Sequence, residues 1–183
     1  KPFAMLFSPF RETLLLDADV VFLASPMQLF EDPVYREIGA SFFKDRSLNR
    51  LWSDNFFIRF FPWPHSLHLT GNSMSRRLSQ HQQESGMVLI DKQRHLYGML
   101  MITLLNMPWQ RNKGTVKDFI HGDKETFWMG LEMMQEPYAF MPHTPGSIGQ
   151  PHAHTNKTAP VEFTICGKLL HFQRDGKVFW LND

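Results

Sequence analysis

The chain has 183 residues, 43% of them hydrophobic, and a formal net charge of +1. That size suits one domain with a real core, and nothing in the composition signals disorder. The near-neutral balance offers no clustered basic face, so no nucleic-acid partner is expected.

Residues 3–12 read as the end of a helix, with Phe3, Leu6, Phe7 and Phe10 at helical spacing. The chain enters this pattern straight from Lys1-Pro2, which predicts a start inside a domain whose N-terminal part lies elsewhere. Leu14-Leu15-Leu16 follows and stops at Asp17. A short unbroken apolar run fits a buried parallel strand. Residues 20–23 predict a second strand, closed by Ser25-Pro26. Residues 27–35 predict a turn and a short helix, and residues 38–43 another strand.

Residues 48–69 are aromatic-rich and broken by Pro62 and Pro64, which suggests short helices and a loop. Residues 70–83 are polar and read as a surface helix or loop. Residues 85–91 predict a strand and 92–107 a helix, with Leu96, Met99, Leu100, Thr103 and Leu104 on one side. Residues 123–134 predict a further helix. Residues 141–160 hold Pro142, Pro145, Gly146, Gly149, Pro151 and Pro160 and predict a long loop, with His143, His152 and His154 in it. The same stretch carries the sequon Asn156-Lys157-Thr158, weak support for a secretory location. Residues 161–165 and 169–172 predict late strands. The alternation of strands and helices gives an α/β class. Cys166, the single cysteine, can close no internal disulfide. No run of about 18 apolar residues is present to span a membrane, so this segment is expected to be soluble.

The block Leu14-Leu15-Leu16-Asp17-Ala18-Asp19-Val20-Val21-Phe22 carries most of the functional signal. In open α/β sheets, ligands sit beyond the carboxyl ends of strands. In an extended segment, residues two apart point the same way, so Asp17 and Asp19 can converge on one ion. Two carboxylates this close repel unless a cation lies between them. A hard divalent ion fits, with coordination positions left for a diphosphate. The alternative is an acidic turn at a strand end. A second alternative is chemical: residues 17–21 also match the opening of haloacid-dehalogenase-like phosphatases, with Asp17 as phosphoryl nucleophile. Against that, Phe127 stands where the late motif of those enzymes, matched by Gly122-Asp123, would carry its next Asp.

The second informative stretch is Leu169 to Trp180. A strand delivers His171, and neutral imidazole suits a third position on a manganese-like ion. A turn at Gly176 then presents Lys177, well placed to neutralise phosphate oxygens. Glu84, Ser85 and Gly86 precede a strand, where Gly86 allows close approach of a sugar. Trp52, Trp63, Trp109 and Trp128 serve either as sugar platforms or as core packing.

Together these motifs resemble the metal-dependent GT-A glycosyltransferases. Glycogenin-like enzymes show a similar block and a similar His-x-x-Gly-x-Lys element, which His171 and Lys177 match with one extra residue before Gly176. The nearer likeness is to the fungal Golgi alpha-mannosyltransferases of the alpha-1,3- and alpha-1,2-linking type. It rests on residues 83–92 and on His121-Gly122-Asp123-Lys124-Glu125-Thr126-Phe127-Trp128, and it extends over residues 3–181.

The resemblance implies a GT-A-like fold with a mixed, mostly parallel sheet, residues 1–183 forming part of the catalytic domain. It implies GDP-mannose as donor, manganese (or magnesium) as cofactor, a mannosyl glycan or glycoprotein as acceptor and a retaining reaction. It further implies a Golgi-lumenal enzyme with a type II membrane anchor outside this segment. Asp17, Asp19 and His171 would hold the metal. Lys177, Gly176, Glu84 and Gly86 would face the donor. Asp123 would bind donor sugar hydroxyls, and Glu125 would face the acceptor or the anomeric carbon. A remnant that binds glycan or a partner enzyme without catalysis is the remaining alternative.

Overall fold

The computed structural model describes residues 1–47, 60–111, 120–154 and 162–182. The expected structure at residues 48–59, Trp52 included, and the sequon at Asn156 lie outside the described residues.

The elements, in chain order, are α1 (Pro2–Phe7), β1 (Glu12–Leu16), β2 (Val20–Phe22), α2 (Gln28–Glu31), α3 (Pro33–Ile38), β3 (Ala40–Lys44), α4 (Leu67–Gly71) and β4 (Gln83–Asp91). They continue with α5 (Leu96–Leu105), a 3-10 turn (Pro108–Arg111), α6 (Thr126–Met133), β5 (Ala139–Phe140), β6 (Gly146–His154), β7 (Glu162–Phe172) and β8 (Val178–Asn182). Among the described residues, the strands form two four-stranded sheets, ordered β1-β4-β3-β5 and β2-β8-β7-β6.

Strand β4 explains the architecture. Its residues alternate between two cores, as a pleated strand requires. Val88 and Ile90 join Phe42, Met99, Ile102, Phe127, Trp128 and Leu131 in a core between the first sheet and the helices. Met87 and Leu89 join Leu29, Phe43, Phe179 and Trp180 in a core between the two sheets. Burial on both faces makes Met87-Val88-Leu89-Ile90 read as an unbroken apolar run.

The α/β class and the mixed sheet hold, but the pairing directions differ from expectation. β4 runs antiparallel to both β1 and β3, and β5 supplies the parallel pairing, against β3. The apolar runs reflect cover from helices and a second sheet, which antiparallel strands can also acquire.

Helix α5 turns a different side inward than its spacing predicts. Gly98, Met99, Ile102, Thr103 and Leu105 are buried, while Leu96, Leu100 and Leu104 stay largely exposed. The reason is a close crossing with α6: a Cβ at Gly130 would stand 2.4 Å from Ile102 Cγ1. The predicted loop at 141–160 contains β6, which pairs antiparallel with β7 from Gly146↔Leu170 to His154↔Glu162. Pro151 is tolerated because β6 is an edge strand. The two late strands are one, β7.

Candidate functional site

Asp17 and Asp19 sit on the crossover between the two sheets. β1 lies against β4, and the Asp17 N–H continues that ladder by donating to the Gly86 carbonyl at 2.9 Å. The chain then turns: the Val20 N–H donates to the Asp17 carbonyl at 3.3 Å, and Val20 opens β2 against β8. The extended geometry expected for the acid pair is therefore a turn. Asp17 Oδ2 receives the Lys1 ammonium at 2.7 Å. The same Nζ lies 3.2 Å from Ser85 Oγ and 3.4 Å from the Ser85 carbonyl. Asp19 is exposed and has no hydrogen-bond partner among the described residues. Lys1 also lines a cavity of about 620 Å³ together with Phe3, Asn106, Ile120 and Asp123. Lys1 thus links Asp17 and Ser85, which hold its ammonium, to the cavity that Asp123 borders.

His171 is placed differently from expectation. β7 sets it opposite Trp180 on β8, and its ring stacks on that indole with centroids 4.0 Å apart. Phe43 meets it edge-on at 5.7 Å. The imidazole is 2% exposed, and Nε2 has no hydrogen-bond partner among the described residues. Burial pushes its pKa down to about 4, with Asp45 pulling weakly the other way. Among the described residues no three His, Cys, Asp or Glu side chains are arranged to hold a metal ion. His171 is neutral and so chemically fit as a ligand, but it does not join the acid pair. Strand pairing turns its ring into the core between the sheets.

Trp180 also fills the space expected for a sugar at Gly86. A Cβ on Gly86 would stand 3.0 Å from the indole Cη2. Beside it, Glu84 Oε1 accepts the Gly86 N–H at 2.8 Å. Burial, and then the charge of Asp45, raise the Glu84 pKa from its ordinary value. Asp45 is bound by Lys124 Nζ at 2.5 Å. Sequence reasoning missed Lys1, Asp45 and Lys124. Lys124 stood inside a quoted motif, but nothing local joins it to Asp45, 79 positions away.

Glu125 is not available to an acceptor. It is fully buried. Oε1 accepts the Gln82 N–H at 3.0 Å, and Oε2 accepts the Trp128 indole N–H at 2.6 Å and the Gln83 N–H at 3.3 Å. Its role is to tie the start of α6 to the start of β4. Asp123 lies before α6, where its carbonyl accepts the Thr126 N–H at 3.0 Å, and its residue borders the cavity.

The turn carrying Lys177 is well built but separate from the acid pair. Gly176 takes φ +85°, a conformation that favours glycine. Arg174 bonds Asp32 at 2.9 Å and fastens the turn to the start of α3. Lys177 Nζ pairs with Asp175 at 2.8 Å, and both side chains are exposed. Of the tryptophans, Trp128 packs in the core, while Trp63 and Trp109 are exposed. His143 Nε2 donates to the Arg174 carbonyl at 3.2 Å, and His152 belongs to β6.

The mixed α/β fold is consistent with the GT-A-like glycosyltransferase class. The family model described as "Mannosyltransferase putative" matches residues 1–173, and the chain belongs to that mannosyltransferase family. It is 32% identical to the Candida albicans protein named "Putative alpha-1,3-mannosyltransferase MNN15", over 100% of this chain and 26% of that protein. It is 28% identical to the Saccharomyces cerevisiae alpha-1,3-mannosyltransferase MNT2, over 98% of this chain and 35% of that protein. The chain thus spans about a quarter to a third of the length of these relatives. The family assignment sets aside the phosphatase reading of Asp17.

Proposed function

We propose that this chain supplies the cation- and diphosphate-facing part of an alpha-mannosyltransferase. The donor is GDP-mannose and the acceptor a mannosyl glycan, with an alpha-1,3 linkage and retention of configuration. Asp17 and Asp19 hold a manganese or magnesium ion. The whole protein works in the secretory pathway, in the Golgi lumen, with its membrane anchor outside this segment. No helix among the described residues is long and apolar enough to cross a membrane.

The observation that supports this reading is the acid pair on the crossover turn, where Asp17 is bound by Lys1, a residue that together with Asp123 borders a large cavity. Two carboxylates on a tight turn suit a hard divalent ion and leave most of its coordination sphere to donor and water. The bound ion would neutralise the departing diphosphate. Around it, Asp123 accepts hydrogen bonds from sugar hydroxyls and orients the donor in the cavity. Lys177 adds positive charge to the phosphates if its turn closes toward the donor. The core formed by Trp180 and His171 keeps β4, β7 and β8 in fixed register behind the acid pair.

Thermal-shift titration with GDP tests this reading. Stabilisation is expected only with manganese or magnesium present, and it is lost in Asp17→Ala and in Asp19→Ala. GDP stabilisation that persists with a chelator, or in both variants, rules the cation assignment out.

A further inference from the structure

We propose that Lys1 is the resident counter-ion of the acid pair: its ammonium occupies Asp17 until a divalent cation displaces it. This proposal rests on the reading that Asp17 and Asp19 hold a cation. An ammonium has three donors. Those of Lys1 face Asp17 Oδ2, Ser85 Oγ and the Ser85 carbonyl at 2.7, 3.2 and 3.4 Å. The seat is rigid, because Ser85 is 5% exposed and belongs to the central strand β4. The stem is rigid too: Pro2 beside it is buried, and the Lys1 carbonyl accepts the Met5 N–H at 3.2 Å.

The pair differs from an ordinary surface contact. The side chains of Lys1 and Asp17 are each 28% exposed, against 79% and 49% for Lys177 and Asp175. Partial desolvation strengthens the attraction. A divalent ion bound to Asp17 needs the oxygen that the ammonium holds, and the two cations repel. Ion binding therefore expels the ammonium toward the cavity that Lys1 already lines. A diphosphate in that cavity gives the displaced ammonium a new partner. Ion and diphosphate then bind cooperatively through Lys1, and by linkage each favours the other equally.

Manganese binding is measured by the electron paramagnetic resonance signal of free ion, with and without GDP, on the whole chain. Lys1→Met is expected to bind manganese alone on the order of tenfold more tightly than wild type and to lose most of the GDP enhancement. Lys1→Arg, which keeps the charge, is expected to stay near wild type. Equal manganese affinity in Lys1→Met and wild type, with the GDP enhancement intact, overturns the counter-ion role while leaving the acid-pair reading standing. Manganese binding that survives Asp17→Ala unchanged rejects the acid-pair reading, and the counter-ion role with it.

Discussion

The imidazole of His171 lies flat on the indole of Trp180, with ring centroids 4.0 Å apart and planes 10° from parallel. The contact fills the centre of the core between the sheets, where Phe43 closes on both rings. It has a direct thermodynamic consequence.

Burial holds the folded-state pKa of His171 at about 4, against 6.5 for the free side chain. Between these values the unfolded chain binds more protons, so stability rises with pH through the window and falls on acidification. Between pH 7.5 and pH 5 this group alone should remove about 2 kcal/mol. His171→Phe is expected to flatten that part of the profile, read from urea midpoints at the two pH values. An unchanged pH slope in the variant would show that the imidazole is protonated freely in the fold.

Gly86→Ala should destabilise the protein by about 1–3 kcal/mol, the usual range for overpacking. The added methyl meets the buried Trp180 ring at 3.0 Å, and the indole has nowhere to retreat. Urea denaturation followed by tryptophan emission measures both the loss and the displacement of the ring. Wild-type stability with an unshifted emission maximum would contradict this packing.

Glu125 separates a structural from a catalytic role. Glu125→Ala should cost about 3 kcal/mol or more, because three N–H donors lose a buried charged acceptor. Glu125→Gln should also destabilise, since an amide nitrogen cannot accept from those donors. A catalytic carboxylate predicts the opposite: wild-type melting for Glu125→Gln with activity abolished.

Lys177→Ala should leave the melting temperature unchanged, because its ion pair with Asp175 is exposed. If the turn closes on the donor, GDP affinity in the presence of manganese falls several-fold, and calorimetry reads it directly. Unaltered GDP affinity would confine Lys177 to the surface.

Much of the frame was legible before any coordinates. Residues 87–90 read as a buried strand because two-sided burial leaves an unbroken apolar run; residues 14–16 were legible as a strand but not a buried one, since Leu14 and Leu15 are partly covered and Leu16 is exposed. Asp17 was legible as the end of that strand because a charge follows immediately where the run ends. The helix after Glu125 was also readable, one turn early, since acids favour a first helical turn whether or not they are buried. β6 was hidden because its Pro, Gly and His residues have low strand propensity, and only pairing with β7 makes it a strand.

By itself, the order of residues determined that an acid pair would follow a strand in an α/β chain with a mannosyltransferase family pattern. Tertiary structure alone decided which groups meet that turn. It joined Lys1 to Asp17 and Ser85, sent the His171 ring into the core, and enclosed Glu125 among backbone N–H groups. Local periodicity records which side of an element is apolar. Strand register between distant segments, such as Val20 against Asn182, decides what each side finally faces.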